Sequence, residues 1–275
     1  MIYTSRTFAG PLRAAAVCAA LLAFCASAGA QTSQKGSLQI GAELRMWLPS
    51  FDGTMQVDTE TVPGSSIRFG RTLGLEARPE VWELGFALGD IRYGRLAYGY
   101  TFFTAPGNKV LTRDVVFGGR SFYTPETVHT DFRVDVNRIS LSYIKGVEGN
   151  FLLQAEMGLA LFKWKTSIEN RHTGVKVSED SNSSVPLTGL HAILPLGDSF
   201  NLMLGVSGVF FQTGSDNVDW VETYLSLHIT LGDFLVMGLG YRHLDFKADL
   251  DLSGSQSGEL DMKVSGVYFV LGIKI

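Results

Sequence analysis

Ten ionisable side chains recur in one setting: Glu43, Arg45, Glu83, Arg95, Arg133, Asp135, Glu156, Glu222, His228 and Arg242. Each lies in a segment where small or polar residues alternate with large apolar ones. Carboxylates and guanidiniums in a confined space can pair into a neutral network that fills it, or line a passage and select ions. The residue types suit a salt-bridged plug in a narrow interior, with an ion-selecting pore as the alternative.

Two catalytic readings compete with this one. His243 and Asp245, in Tyr-Arg-His-Leu-Asp, form an Asp/His pair near a strand end that could activate water for a hydrolase. No second acid pair accompanies them. A lipid-modifying hydrolase would need a serine beside a histidine oriented by an acid, and His129, His191 and His228 are available. No spacing selects the serine. Asp249, Asp251 and Asp261 match no calcium loop in spacing or glycine position. The expectation is no enzyme, no metal and no cofactor.

Residues 1–30 read as a cleaved leader. Arg6 and Arg13 precede the apolar run Ala14–Phe24, and Ala28-Gly29-Ala30 supplies a small-x-small cleavage site. Both cysteines, Cys18 and Cys25, fall in the leader, so the expected mature chain, 31–275, has neither disulfide nor thiolate chemistry. Removing the two leader arginines leaves 21 bases against 27 acids, a net charge near −6. An acidic exported chain is a poor nucleic-acid binder. One domain spanning 31–275 is the simplest organisation.

The elements that must position these charges are strands. From Gly266 onward, Val267, Phe269, Leu271, Ile273 and Ile275 alternate with Gly266, Tyr268, Val270, Gly272 and Lys274. That period of two defines a strand with one greasy side. Similar alternation runs through 38–48, 81–88, 91–103, 128–144, 151–165, 187–196, 201–211, 220–231 and 234–246, which makes ten strands. In 128–144 the apolar parity changes, and a bulge near Asn137-Arg138 is expected to reconcile the halves. The segments 49–79, 105–126 and 166–185 read as long loops.

Short and long connections alternate, and an even strand count leaves both ends on one side. The large aliphatics form a face without charge, whereas the opposite face mixes charge with Gly, Ala, Ser and Thr. An antiparallel transmembrane β-barrel of about ten strands (eight as the alternative) satisfies all of this. Its girdle candidates are Trp82, Tyr100, Phe102, Tyr143, Phe151, Phe210 and Tyr241. Both ends are expected on the periplasmic side of a bacterial outer membrane.

Four stretches carry a resemblance: Leu73-Gly74-Leu75, RYGRLAYGY at 92–100, FGGRSF at 117–122 and VHTDFRVDVNRISLSY at 128–143. Through them the chain resembles a family of small, largely uncharacterised Gram-negative outer-membrane β-barrel proteins. The resemblance implies fold and location and brings no catalytic residues. Barrels of this kind usually end in an aromatic residue read by the assembly machinery, whereas Ile275 stands last here. The expected role is a narrow, mostly occluded, monomeric barrel with structural or surface-interaction duties; a small-solute or ion channel is the alternative. Its expected partners are the assembly machinery, through the closing strand, and outer-membrane lipid or lipopolysaccharide. Loop cations Lys109, Arg113, Arg120, Arg171 and Lys176 are candidates for lipid phosphate.

Overall fold

A strand with one apolar face needs a neighbour on each edge, and in this chain every long strand finds two. The computed structural model describes residues 39–275, apart from 91–93, 148–150, 210–216, 233 and 253–255. The expected leader and Phe210 lie outside them.

Ten antiparallel strands form a ring: β1 (Gln39–Thr59), β3 (Val81–Asp90), β4 (Gly94–Val110), β7 (Thr127–Val147), β8 (Phe151–Asn170), β9 (Lys176–Leu196), β10 (Phe200–Val209), β11 (Asn217–Leu231), β12 (Leu235–Leu252) and β13 (Gln256–Lys274). The ring closes between β13 and β1, in register from Gly41 opposite Lys274 to Thr59 opposite Gln256. Closure removes the open edges that would otherwise template aggregation.

Three smaller strands decorate one end. β2 (Ile67–Arg68) pairs with β1 and leads into a helical turn, Phe69–Leu73. β5 (Val115–Phe117) and β6 (Arg120–Phe122) make a hairpin whose turn residues, Gly118 and Gly119, have φ of 55° and 73°. Two consecutive left-handed residues are what a two-residue hairpin turn demands, and glycine supplies them without strain.

Several strands are far longer than their sequence pattern suggests. β1 continues eleven residues past Leu48, and β8 and β9 run together to a tight turn at 171–175. The expected loop 166–185 is therefore mostly strand. Much of 49–59 and 105–110 is strand as well.

The barrel is built in two zones. In the first, outward residues such as Leu88, Leu96, Ile139, Leu141, Met157, Leu159, Leu225, Leu239 and Leu271 are exposed, forming a continuous apolar belt. A belt of that extent far exceeds the apolar patch a water-soluble monomer tolerates, and it has the composition of a lipid-facing surface. Tyr100, Phe102, Tyr143 and Tyr241 also point outward.

In the second zone the chemistry inverts. Outward residues are polar, including Asp52, Thr104, Arg133, Lys165 and Lys247, whereas the interior is an apolar core. Phe132, Trp164, Trp220 and Phe246 there are fully buried. The small elements fold into this end: Phe69 packs against Phe51 and Phe132, with ring centroids 5.0 and 4.9 Å apart. Ile67, Leu73, Val115, Phe117 and Phe122 join the same core.

The strands cross from one zone to the other without changing face. Along β7, Phe132, Val134, Val136, Arg138, Ser140 and Ser142 all point inward. Pairing of β7 with β4 and β8 is continuous through Asn137 and Arg138. No bulge exists there. What changes at that level is the medium outside, so the apolar residues move from the inner face to the outer one.

Candidate functional site

Where the two zones meet, charged side chains from five strands, joined by a threonine from a sixth, meet across the bore. Arg45 on β1 bonds Glu43 at 2.5 Å and Glu83 on β3 at 2.7 Å. Arg242 on β12 spans Glu83 and Glu222, each at 2.7 Å. Arg138 on β7 reaches Glu222 on β11 at 2.9 Å. Thr101 on β4 donates its hydroxyl to Glu83 at 3.1 Å. The Arg242–Glu83 and Arg138–Glu222 bonds join strands that are not neighbours in the ring, so these side chains cross the lumen.

Three carboxylates face three guanidiniums, and the layer is formally neutral. The layer also has a roof. The Arg242 guanidinium lies over the Trp47 ring at 4.8 Å, and that of Arg138 over Trp220 at 4.6 Å. Each arginine thus spends its edge on carboxylates and its face on an indole, a use for which the planar guanidinium is suited. Against the two tryptophans lies a cavity of about 50 Å³, lined also by Phe103, Val136, Phe162, Phe246 and Met262.

Below the layer, in the zone of the belt, the lumen is lined by small and polar residues. His191 on β9 bonds Glu156 on β8 at 2.8 Å and the Tyr224 hydroxyl on β11 at 3.0 Å. Gly205 makes room for this chain, because a Cβ there would meet the Tyr224 ring at 2.7 Å. His228 packs over Gly238, and Arg95 lies near Gly41 at the far end of the lumen.

Of the ten candidate charges, Glu43, Arg45, Glu83, Glu222 and Arg242 form the layer, with Glu156, His228 and Arg95 in the lumen below. Arg133 and Asp135 are not in the lumen. Both face outward, joined by two hydrogen bonds of 2.7 and 2.9 Å, with the Tyr100 hydroxyl donating to Asp135 at 2.8 Å. The physical reason is the unbroken parity of β7, which turns odd-numbered residues out and even-numbered ones in. The same parity brings Arg138 inward, a member of the layer that the supposed bulge concealed.

His243 and Asp245 also sit on the outer wall. His243 Nδ1 contacts the Ser265 hydroxyl at 2.6 Å, and Asp245 is 4.0 Å from the Lys263 ammonium. Each looks across the β12–β13 seam, and neither bonds the other. His129 lies outward too, 3.3 Å from Asp131 and 2.9 Å from Asn108 Oδ1.

The fold defines the class: a closed, ten-stranded antiparallel barrel of outer-membrane type. Among solved structures, the outer membrane protease OmpT from Escherichia coli is similar over 90% of this chain and 99% of its own, with 9% identity and a TM-score of 0.52. The translocator domain of the autotransporter NalP from Neisseria meningitidis matches over 94% and 97%, at 14% identity and a TM-score of 0.42. At 9% identity the likeness to OmpT speaks to fold alone. No family model and no curated protein sequence matches the chain.

Proposed function

We propose that the chain is an integral protein of the bacterial outer membrane whose bore is closed, serving as a structural and surface-interacting element of the envelope. One observation carries the reading: the Arg45–Glu83–Arg242–Glu222–Arg138 layer spans the lumen, and the apolar core of the outer zone lies beyond it. A hydrated ion would have to break charge-assisted pairs in a confined, low-dielectric space and then cross a dry stack of phenylalanines.

The belt supports membrane insertion, and the arrangement of connections supports an orientation. The tight turns at 197–199 and near 232 lie at one end and would face the periplasm; the end carrying β2 and the β5–β6 hairpin would face outward. The strands of the outer zone would then raise a polar, folded crown above the lipid. A crown with a core of its own is a stable platform for contacts.

Planar-bilayer recording of the refolded chain is the test. The reading expects a silent membrane, with the folded barrel verified by heat-dependent gel mobility. Stable unitary openings whose ion selectivity changes in Glu222→Gln would replace it with a channel.

A further inference from the structure

On the outer wall, β7 and β8 place three cations directly above the belt. Cross-strand register stacks the rungs in order: Ile139 beside Leu159, then Asn137 beside Leu161, Asp135 beside Lys163, and Arg133 beside Lys165. All these side chains point outward. Two residues of strand climb about 7 Å, and with the usual tilt roughly 5 Å along the membrane normal. Lys163 and Lys165 therefore stand about 5 and 10 Å above the last apolar rung.

The tyrosines mark the same level. Tyr98 donates its hydroxyl to Asn137 at 2.7 Å, and Tyr100 to Asp135 at 2.8 Å, so hydrogen bonding begins where the apolar rungs stop.

Formally Arg133, Lys163 and Lys165 are matched by Asp131, Asp135 and Asp180, but among the described residues the two lysines are not held in ion pairs. Arg133 and Lys165 are direct cross-strand partners, a like-charge pairing that costs stability unless an anion sits between them. Asp135 is engaged by the Arg133 fork. Asp180 is the acid opposite Lys165 on β9. Among the described residues, neither lysine has a carboxylate within 4.0 Å, Asp180 included.

On the β12–β13 sector of the same wall the cations are occupied. Lys247 lies 3.6 Å from Asp261, and Lys263 4.0 Å from Asp245. Of the five loop cations, Arg113 bonds the Ser66 carbonyl, Arg171 bonds Asn108 Oδ1 at 3.0 Å and Lys176 lies 4.0 Å from Glu169, whereas Lys109 and Arg120 do not adjoin the belt.

We propose that Lys163, Lys165 and Arg133 bind the phosphate of an anionic, phosphate-bearing lipid of the outer leaflet, whose acyl chains lie on the adjoining belt at Leu159, Leu161 and Ile139. The inference rests on the membrane reading above. A lipid is favoured over free phosphate because the cations adjoin the apolar surface that would hold the tails. Two ammonium groups on successive outward positions of one strand can grip a phosphate from two sides, and Arg133 adds charge from the neighbouring strand.

The test refolds the chain and its Lys163→Gln/Lys165→Gln variant in phosphatidylcholine vesicles. Vesicles alone are compared with added diphosphoryl lipid A, dephosphorylated lipid A or inorganic phosphate. The thermal midpoint of the folded gel form is read in each. Failure of both proteins to fold in any vesicle would count against the membrane reading itself. With folding established, diphosphoryl lipid A should raise the wild-type midpoint by several degrees, the dephosphorylated lipid should not, and the double variant should lose the shift. An equal shift in both proteins overturns the site. A shift reproduced by inorganic phosphate overturns the lipid as its occupant. Lys247→Gln, from a paired sector, should keep the wild-type response.

Discussion

Replacing Arg242 with methionine removes the centre of the charged layer and keeps much of its volume. The substitution deletes hydrogen bonds of 2.7 Å to both Glu83 and Glu222. Uncoupling a buried ion pair by removing one partner typically costs about 3–5 kcal/mol. Two features of this site favour the lower end. Glu83 keeps Arg45 and Thr101, and Glu222 keeps Arg138, so neither carboxylate is stranded. The Met side chain can also lie against Trp47. The expected loss is about 3 kcal/mol.

Arg133→Met provides the comparison, because Arg133 makes equally short bonds to Asp135 but on the exposed wall. Surface pairs are worth about 0–1 kcal/mol. Urea titration in one detergent, read by gel mobility and tryptophan fluorescence, should separate the two variants by about 2 kcal/mol. Pairing Arg242→Met with Glu222→Gln should recover part of the loss, since one unmatched charge is removed with its partner. Equal losses for Arg242→Met and Arg133→Met would refute the layer as a structural element.

Other perturbations separate the two zones. Phe132→Ala empties a fully buried site between the wall and the helical turn, and should cost about 3–5 kcal/mol while making the β4–β7 connection more sensitive to protease. Leu159→Arg, on the belt, should cost about 2–4 kcal/mol in bilayers if it lies near the midplane, measured by reversible unfolding from vesicles. Glu179 points inward beneath the Gly118 turn, and burial, with the Asp180 charge, holds its carboxyl above the ordinary carboxylate range. A raised acid is least costly when protonated, so its contribution is present below the unfolded pKa, about 4.3, and lost as pH rises through the folded value. Glu179→Gln should therefore be stabilising at pH 7 and neutral below pH 4, as thermal midpoints across that range will show.

The ten strands and their closure were legible because lipid outside and a small polar lumen inside leave a clear period of two. The belt strands, 151–161 most plainly, advertise both faces. The outer halves were not legible for the opposite reason. In β9 from Lys176 to Val185 the inward residues include Glu179, Ser181 and Ser183, so no apolar stripe marks the strand. That stretch looks like a polar loop until its pairing with β8 is seen.

Arg138 and Arg133 show the same difficulty at the level of single residues. The apolar positions in β7 are even through Val136 and odd from Ile139. Sequence periodicity reports the face that is apolar; it does not report whether that face looks at a core or at lipid. Either a bulge or a change of medium explains the shift, and only cross-strand register distinguishes them. His191 was visible as a residue but not as a partner of Glu156 and Tyr224, because their pairing depends on alignment across three strands.

The most direct test of the two-zone account is a nitroxide scan along β8, which is simple because residues 31–275 contain no cysteine. Single labels at 157, 159, 160, 161, 162, 163 and 165 in bilayers report access to oxygen, which prefers lipid, and to a water-soluble nickel chelate. The account expects oxygen to dominate at 157–161 and the chelate at 163 and 165, with labels at 160 and 162 inaccessible to both. Alternation that continued unchanged through 165, or chelate access at 162, would contradict it.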